Sequence, residues 1–268
     1  PMKDLKSFNG KRLKPARTLK GMSISELADA LDLQRQTVSM YESGKISNPD
    51  FPKVQKMSQL LNFPIDFFLD SDTELVKAAP SIYFRSLLTT NKKYRYEQEI
   101  KINFVSTIYA YLSEYITFPQ IHLPVIYDND NIEDIAERFR ECWNLGCGPI
   151  DNLIFHAEQN GIILTSFTTT TSDIDAFSQK ININDEERYI VALSKNKNTA
   201  ARLHFDVAHE LGHIMLHDWE DDIENISPSE FREREQQAND FASAFLLPKE
   251  TFIKEIGVFA DKLNYYIE

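Results

Sequence analysis

Helical spacing of apolar residues characterises the first 70 positions of the chain. Ser23 and Glu26 stand three residues apart before an apolar run, which predicts a capping box at the start of a helix. Farther along, Val38 and Tyr41 fall on one side of a helical segment and should point inward. We therefore predict an all-α domain of five short helices over residues 1–70.

The pattern changes after this domain. Residues 71–98 contain a helix-breaking Ala-Ala-Pro at 78–80 and a polar segment at 91–93, and we predict that they form a linker. Apolar periodicity then predicts helices at 96–116, 132–143, 149–160, 200–217 and 231–247, and strands at 162–164, 176–178, 180–183 and 189–193. The expected fold is α+β and multidomain, with a second, mostly helical domain at 99–268 that includes a small β-sheet.

The strongest chemical signal is His209-Glu210-Leu211-Gly212-His213, which lies inside an apolar helical run. Residues four apart share one face of a helix, with Cβ atoms about 5–6 Å apart. Two imidazoles at this separation can bind one Zn²⁺ ion, with Zn–N bonds of about 2.0–2.1 Å. Glu210 reaches the rim of the same site, where it can take a proton from an attacking water. The alternative is a buried helix with two hydrogen-bonded histidines and no metal.

A catalytic zinc site needs a third protein ligand. Glu235 lies on the inward face of a second predicted helix and is the better candidate. Asn239, four residues later on that face, could accept a hydrogen bond from a ligand histidine. His217 continues the four-residue spacing, but on an unbroken helix it would lie about 12 Å from His209, too far to share an ion. His204 and His217 stay open as donors to a developing oxyanion, beside ordinary roles on the helix surface or in the core.

Composition limits the class of protein. The chain of 268 residues is 42% hydrophobic, with no apolar run long enough to span a membrane and no signal-peptide core at its start. Its two cysteines, Cys142 and Cys147, suit a reducing compartment, and one pair of this spacing is too little for a zinc site. We expect a cytoplasmic protein with no membrane partner.

The net charge of −12 hides an asymmetry along the chain. Residues 1–60 contain 11 Lys/Arg and 6 Asp/Glu, a net charge of +5, whereas the remainder contains 18 and 35, a net charge of −17. A basic module attached to an acidic body indicates that only the first part meets nucleic-acid phosphates. Ordinary variation in surface composition is the alternative.

Residues 139–248 resemble the ImmA/IrrE family of bacterial and phage metallopeptidases. The shared motifs are Trp143-Asn144-Leu145-Gly146, Gly148-Pro149-Ile150, Glu158–Ile162, Asp175–Ser178, Arg202, His209–His213 and Glu235–Pro248. The resemblance implies a zincin-like peptidase domain in which His209, His213 and Glu235 bind the metal and Glu210 is the catalytic acid/base. Family members cleave a partner transcriptional repressor, which releases genes for stress response or mobile-element transfer. They also tend to continue past the Phe-Leu-Leu-Pro segment, so we expect this chain to be a truncated or processed form.

The first domain resembles the phage-repressor (XRE) helix-turn-helix family. The matching residues are Arg12-Leu13, Arg17, Met22-Ser23, Glu26–Ala28, Thr37–Ser39 and Tyr41–Lys45. The resemblance implies that the reading face carries the base-contacting residues Arg35, Gln36, Thr37, Ser39 and Met40, and that Lys45 touches phosphate. A helical module used for protein contact is the alternative.

Two positions depart from the family pattern, and one pair supports it. Ile24 stands where the family usually has Gln, which removes a common phosphate contact. Pro15 falls inside the first helix, where it removes an N–H bond. Arg17 and Glu42 are placed to pair across the first and third helices, within the usual ion-pair distance of about 4 Å.

These observations predict a DNA-binding transcriptional regulator with zinc-dependent endopeptidase activity. One Zn²⁺ ion is expected, although another divalent metal could replace it. The expected partners are a double-stranded operator and a regulatory protein substrate such as a repressor, and a homodimer is compatible with both. One alternative is a non-proteolytic transcription factor whose peptidase-like domain senses metal, ligand or partner, and another is a DNA-docked regulator controlled by a separate protein. The presence of Glu210 favours the first reading, because a sensor would not need this residue.

Overall fold

The computed structural model describes residues 7–69, 92–167, 176–195, 199–217, 219, 226–249 and 251–254, with the backbone alone for 92–95. The predicted linker lies outside the described residues as far as position 91, and a helix occupies its last part. The chain forms two compact units, the first of which includes residues 92–107. The helix-rich architecture with a small three-stranded sheet confirms the predicted α+β, multidomain fold.

The N-terminal unit contains the five predicted short helices. They are α1 (Leu13–Leu19), α2 (Ile24–Ala30), α3 (Arg35–Glu42), α4 (Phe51–Leu61) and α5 (Ile65–Leu69), with a 3₁₀ turn at Gly10–Arg12. The capping box of α2 is confirmed, because Ser23 Oγ accepts from the Glu26 amide at 3.2 Å and the Glu26 carboxylate accepts from the Ser23 amide at 2.6 Å. Val38 and Tyr41 of α3 are buried, as their spacing predicts.

Pro15 and Gly10 explain how the first helix begins and how the turn before it packs against α3. Pro15 lies in the first turn of α1, a position where proline is tolerated. Gly10 passes so close to α3 that a Cβ atom there would lie 1.9 Å from the Tyr41 carbonyl oxygen. Only glycine therefore allows the 3₁₀ turn to pack against the end of α3.

A long helix, α6, extends from Lys92 to Ser113. In the N-terminal unit its Phe104 ring lies 5.7 Å from the ring of Phe63 and 5.9 Å from that of Phe67, measured between centroids. This contact explains why the start of α6 belongs with the first five helices. Of the helices in the described part of the chain, none combines the length and apolar character that crossing a membrane requires.

The described part of the second unit combines helices with a sheet. Its elements in chain order are α7 (Ile132–Cys142), α8 (Leu153–Gln159), β1 (Ile162–Phe167), β2 (Ala176–Ile183), β3 (Glu186–Ser194), α9 (Ala200–Leu216) and α10 (Pro228–Leu246). The strand order is β1-β3-β2, with β1 parallel and β2 antiparallel to β3. The two strands predicted at 176–178 and 180–183 are thus one continuous strand. The helix predicted from residue 149 begins at Leu153, because the Asn152 side chain caps it.

Helix α10 is held close to α9 by packing on both of its sides. Toward α7, the Phe139 ring lies 5.6 Å from Phe241 and 5.4 Å from Phe245, and this aromatic group is buried in the core. Toward α9, a Cβ atom on Gly212 would lie 3.1 Å from the Ala238 Cα. The glycine inside the histidine motif therefore lets the two helix backbones approach, which brings residues of α10 beside the histidines of α9.

Candidate metal centre and DNA-facing helix

Three side chains from two helices converge on one point. His209 and His213 lie one turn apart on α9, and their Nε2 atoms are 3.0 Å apart. Glu235 of α10 points between them, with Oε1 at 3.2 Å from His213 Nε2 and Oε2 at 3.7 Å from His209 Nε2. The potential ligand atoms of all three residues lie within 4.8 Å of one another. The structure therefore brings together the three residues that the sequence analysis selected as metal ligands.

These separations fit a tetrahedral ion. Ligands bonded at about 2.0–2.2 Å with tetrahedral angles lie about 3.3–3.6 Å from each other. The two histidine nitrogens are 3.0 Å apart, and the carboxylate oxygens lie 3.2 Å (Oε1) from His213 and 3.7 Å (Oε2) from His209, close to this range. Two imidazole nitrogens and one carboxylate leave a fourth position open, as in catalytic rather than structural zinc sites. The donor set thus fits a catalytic divalent metal without rearrangement of the helices.

Asn239 lies behind His209 on the side away from the other ligands. Its Oδ1 atom is 3.0 Å from His209 Nδ1, so the amide oxygen can accept the ring N–H while Nε2 stays available. Such acceptors fix the tautomer and the ring orientation of metal-binding histidines. The geometry places Asn239 where the sequence analysis expected such an acceptor.

Glu210 lies beside the cluster in a buried position. Its Oε2 atom accepts a hydrogen bond of 2.6 Å from the hydroxyl of Ser178 on β2. Burial raises the pKa of Glu210 to about 7, against smaller lowering contributions from His213 and the Ser178 hydrogen bond. A carboxylate that ionises near neutral pH is suited to accept and return a proton during catalysis. The sequence analysis named Ser178 only as part of the family motif Asp175–Ser178 and gave it no role, because nothing local links strand β2 to the histidine helix.

His217 lies in a different environment from the one expected of an oxyanion donor. The helix ends at Leu216, and His217 adopts an extended backbone conformation that turns its ring back toward His213. The ring is buried, and its two nitrogens contact His213 Nδ1 and Gln237 Oε1. Of the roles that the sequence analysis left open for His217, these contacts favour that of a hydrogen-bonded histidine in the core. His204 is half-buried on α9 and stays a candidate.

The predicted DNA-reading residues form the outer face of α3. Arg35, Gln36 and Ser39 are exposed, and Lys45 follows the helix in an exposed turn. Thr37 and Met40 are half-buried at the edges of this face. The opposite face carries the buried Val38 and Tyr41. This division leaves the first turn of α3 available for a groove, which is how helix-turn-helix proteins contact bases.

Arg17 and Glu42 form the predicted ion pair between α1 and α3. Arg17 Nε lies 2.6 Å from Glu42 Oε1, and Nη2 lies 3.2 Å from Oε2, so the contact is bidentate. Arg17 also donates to the Met22 carbonyl at 2.8 Å. The prediction is confirmed, and the pair connects α1 to α3.

Two parts of the chain, one in each half, match known family models. Residues 13–68 match the family model described as Helix-turn-helix, and residues 157–266 match the model of a peptidase family described as the IrrE N-terminal-like domain. The chain therefore carries one domain of each family, as the sequence resemblance implied.

Curated relatives are similar to the N-terminal part of the chain. A prophage-derived uncharacterized HTH-type transcriptional regulator, YonR of Bacillus subtilis, is 43% identical over 60 residues, which cover 22% of this chain and 55% of the relative. Uncharacterized HTH-type transcriptional regulators of Sinorhizobium medicae and Rhizobium meliloti are each 34% identical over 61 residues, covering 23% of this chain and 43% of each relative. The chain thus spans about half the length of the relatives it matches. No solved structure matched the chain.

Proposed function

We propose that this protein is a DNA-binding transcriptional regulator with metal-dependent endopeptidase activity, directed at a regulatory protein such as a repressor. The observation that carries the catalytic half is the convergence of His209, His213 and Glu235 beside the buried carboxylate of Glu210. Three metal-binding residues alone would also be compatible with a protein that only senses metal. A second carboxylate, that of Glu210, next to the cluster but outside it supports hydrolysis.

Zinc is the metal that best fits the donor set, because it accepts imidazole nitrogen and carboxylate oxygen in four-coordinate sites. When bound, the ion would polarise the scissile carbonyl and lower the pKa of a nearby water. His209, His213 and Glu235 would hold it, and the remaining chemistry falls to the protein's own residues.

Glu210 would carry the proton through both halves of peptide hydrolysis. Its Oε2 atom is held by Ser178, which leaves Oε1 to take a proton as the water oxygen forms a bond to the carbonyl carbon. The same carboxyl then delivers that proton to the amide nitrogen as the C–N bond breaks. In the metal-free protein, burial raises the pKa of Glu210 to about 7, which supports a role in taking up a proton.

We propose that the strand carrying Ser178 binds an extended peptide along its outer edge. Among the described strands β2 lies at an edge of the sheet, beside β3 and in contact with α9. A substrate segment could add to an exposed strand edge through main-chain hydrogen bonds. This mode would recognise the shape of an unfolded segment, which suits limited cleavage of a folded regulator at an exposed loop.

The DNA-binding half of the proposal is supported by the helix-turn-helix match, the exposed face of α3 and the names of the relatives as transcriptional regulators. Residues 1–60 have a net charge of +5, which favours contact with phosphates. We propose double-stranded operator DNA as the ligand. Arg35 and Gln36 would contact bases, with Thr37, Ser39 and Met40 beside them on the reading face and Lys45 at the backbone.

The decisive experiment separates metal binding from hydrolysis. We expect purified protein to take up close to one equivalent of zinc, and His213→Ala to lose it. Glu210→Gln should keep the metal and lose cleavage of a proteome-derived peptide library, followed by mass spectrometry. If zinc instead changes DNA affinity equally in the parental protein and Glu210→Gln, and neither cleaves any peptide, the protein is a metal sensor and not a peptidase.

A further inference from the structure

We propose that His217 and Gln237 act together as positioning residues that hold His213 in the orientation and tautomer needed for metal binding. The inference rests on the proposed metal site and adds two residues to it. The proposal depends on a continuous line of polar contacts from the cluster to helix α10. The line starts at His213 and ends at Gln237 on α10.

The contacts are short and lie in a buried region. His213 Nδ1 is 2.9 Å from His217 Nδ1, and His217 Nε2 is 3.1 Å from Gln237 Oε1. The exposed fraction is 3% for His213 and 7% for His217. A buried imidazole whose nitrogens both meet polar partners has little freedom to rotate, because rotation would leave those groups unsatisfied.

Metal binding assigns a direction to each hydrogen bond. His213 turns Nε2 toward His209 and Glu235, so that nitrogen would supply its lone pair to the ion. A neutral imidazole then carries its proton on Nδ1. His213 Nδ1 must donate, and His217 Nδ1 must accept.

The same reasoning determines the last contact of the line. Since Nδ1 of His217 accepts, the proton of that neutral ring lies on Nε2. Nε2 donates to the amide oxygen of Gln237, which has lone pairs and no competing proton. If the direction of either hydrogen bond were reversed, two N–H groups or two lone pairs would face each other. The line is therefore compatible with one proton arrangement once His213 binds a metal through Nε2.

The two ligand histidines are supported in different ways by the same helix. His209 meets an amide oxygen directly, that of Asn239, whereas His213 reaches the amide of Gln237 through His217. Helix α10 thus contributes the carboxylate of Glu235 and, at the second and fourth positions after it, the two terminal acceptors. A displacement of α10 would disturb the third ligand and both supports together.

The test measures metal affinity in the full chain. His217→Phe keeps a buried ring of similar shape and removes the acceptor, and Gln237→Leu breaks the second contact. Replacing the outer partner of a metal-binding histidine typically weakens metal affinity about 10–100-fold. We expect a loss in this range for His217→Phe and a smaller loss for Gln237→Leu, measured by zinc competition with a chromophoric chelator. The visible spectrum of the Co²⁺-loaded protein should also change.

Three further variants distinguish this role from a general effect on folding. The double variant should bind zinc no more weakly than His217→Phe, because Gln237 acts only through His217. His217→Gln, which retains an acceptor, should recover part of the affinity. Gln236→Leu is the matched control, because Gln236 lies on the same helix and bonds instead to Asp240 at 2.8 Å; its affinity should equal that of the parental protein.

The outcomes separate this inference from the proposed function. If the parental protein binds zinc and both His217→Phe and Gln237→Leu bind it equally well, the positioning role is overturned while the metal site stands. If the parental protein binds no zinc or cobalt, the proposed function and this inference fail together. Thermal unfolding of the metal-free variants shows whether His217→Phe is folded. If it is not, the zinc affinity of Gln237→Leu tests the positioning role instead.

Discussion

The hydroxyl of Ser178 donates a hydrogen bond of 2.6 Å to Oε2 of Glu210 and so connects strand β2 to helix α9. Both side chains are buried, with exposed fractions of 0% for Ser178 and 5% for Glu210. The contact holds one carboxylate oxygen and leaves the other for proton transfer.

Ser178→Ala should therefore slow peptide cleavage without releasing the metal. A hydrogen bond to a charged group is worth about 1.5–3 kcal/mol, so we expect a fall in kcat of about tenfold or more. Zinc affinity should stay at the parental value, because Ser178 touches no proposed ligand. Ser166→Ala, which alters an exposed serine of β1, is the control. An unchanged kcat in Ser178→Ala would show that the hydrogen bond from Ser178 does not contribute to catalysis by Glu210.

The raised pKa of Glu210 predicts how the metal-free protein responds to pH. Because its pKa rises from 4.5 to about 7 on folding, mainly through burial, the folded state favours the protonated carboxyl. The resulting stability is fully present below the unfolded pKa and is lost as the pH rises through 7. Between about pH 5 and pH 8 the expected loss is roughly 2–3 kcal/mol.

Denaturant unfolding in the presence of a chelator measures this effect. The free energy of unfolding should fall more steeply with pH for the parental chain than for Glu210→Gln, whose side chain does not titrate. The difference between the two profiles isolates Glu210 from the histidines around it. Parallel profiles would mean that Glu210 is already ionised at low pH in the metal-free fold.

The Arg17–Glu42 pair should be important for the stability of the N-terminal unit. Its side chains are 12% and 8% exposed, so removing one partner leaves a largely buried charge. Arg17→Met should destabilise this unit by about 3 kcal/mol, and the double change Arg17→Met with Glu42→Leu by less. The control is Lys56→Met, which breaks the exposed Lys56–Asp32 pair and should cost about 1 kcal/mol or less. Chemical unfolding followed by circular dichroism measures the loss of stability in each variant. Equal losses for Arg17→Met and Lys56→Met would contradict the prediction.

Two substitutions should separate base reading from phosphate contact on α3. Arg35→Ala should weaken binding to the preferred duplex by about 1–3 kcal/mol and relax the preference at one base pair. Lys45→Ala should weaken all duplexes about equally and reduce the slope of log affinity against log salt by about one. Fluorescence anisotropy with a panel of single-base variants at two salt concentrations measures both effects. A loss of preference in Lys45→Ala but not in Arg35→Ala would reverse the two assignments.

Local sequence determined much of what the structure contains. The capping box of Ser23 and the inward face of Val38 and Tyr41 depend on spacing within one helix, and both were predicted correctly. The four-residue spacing of His209 and His213 likewise places two imidazoles on one side of α9. The difference in charge along the chain and the two sets of family motifs also predicted two domains. Both can be read directly from the order of the residues.

The tertiary structure decided which distant residues complete each site. Glu235 was selected by helical periodicity, but its 3.2 Å approach to His213 depends on the close packing of α10 at Gly212. Ser178 meets Glu210 because a strand crosses α9, and no spacing in the sequence encodes that crossing. The sequence left the role of His217 open, and its contact with Gln237 depends on the chain leaving the helix after Leu216. Periodicity identifies which face of an element a residue occupies, whereas its partner depends on how separate elements pack.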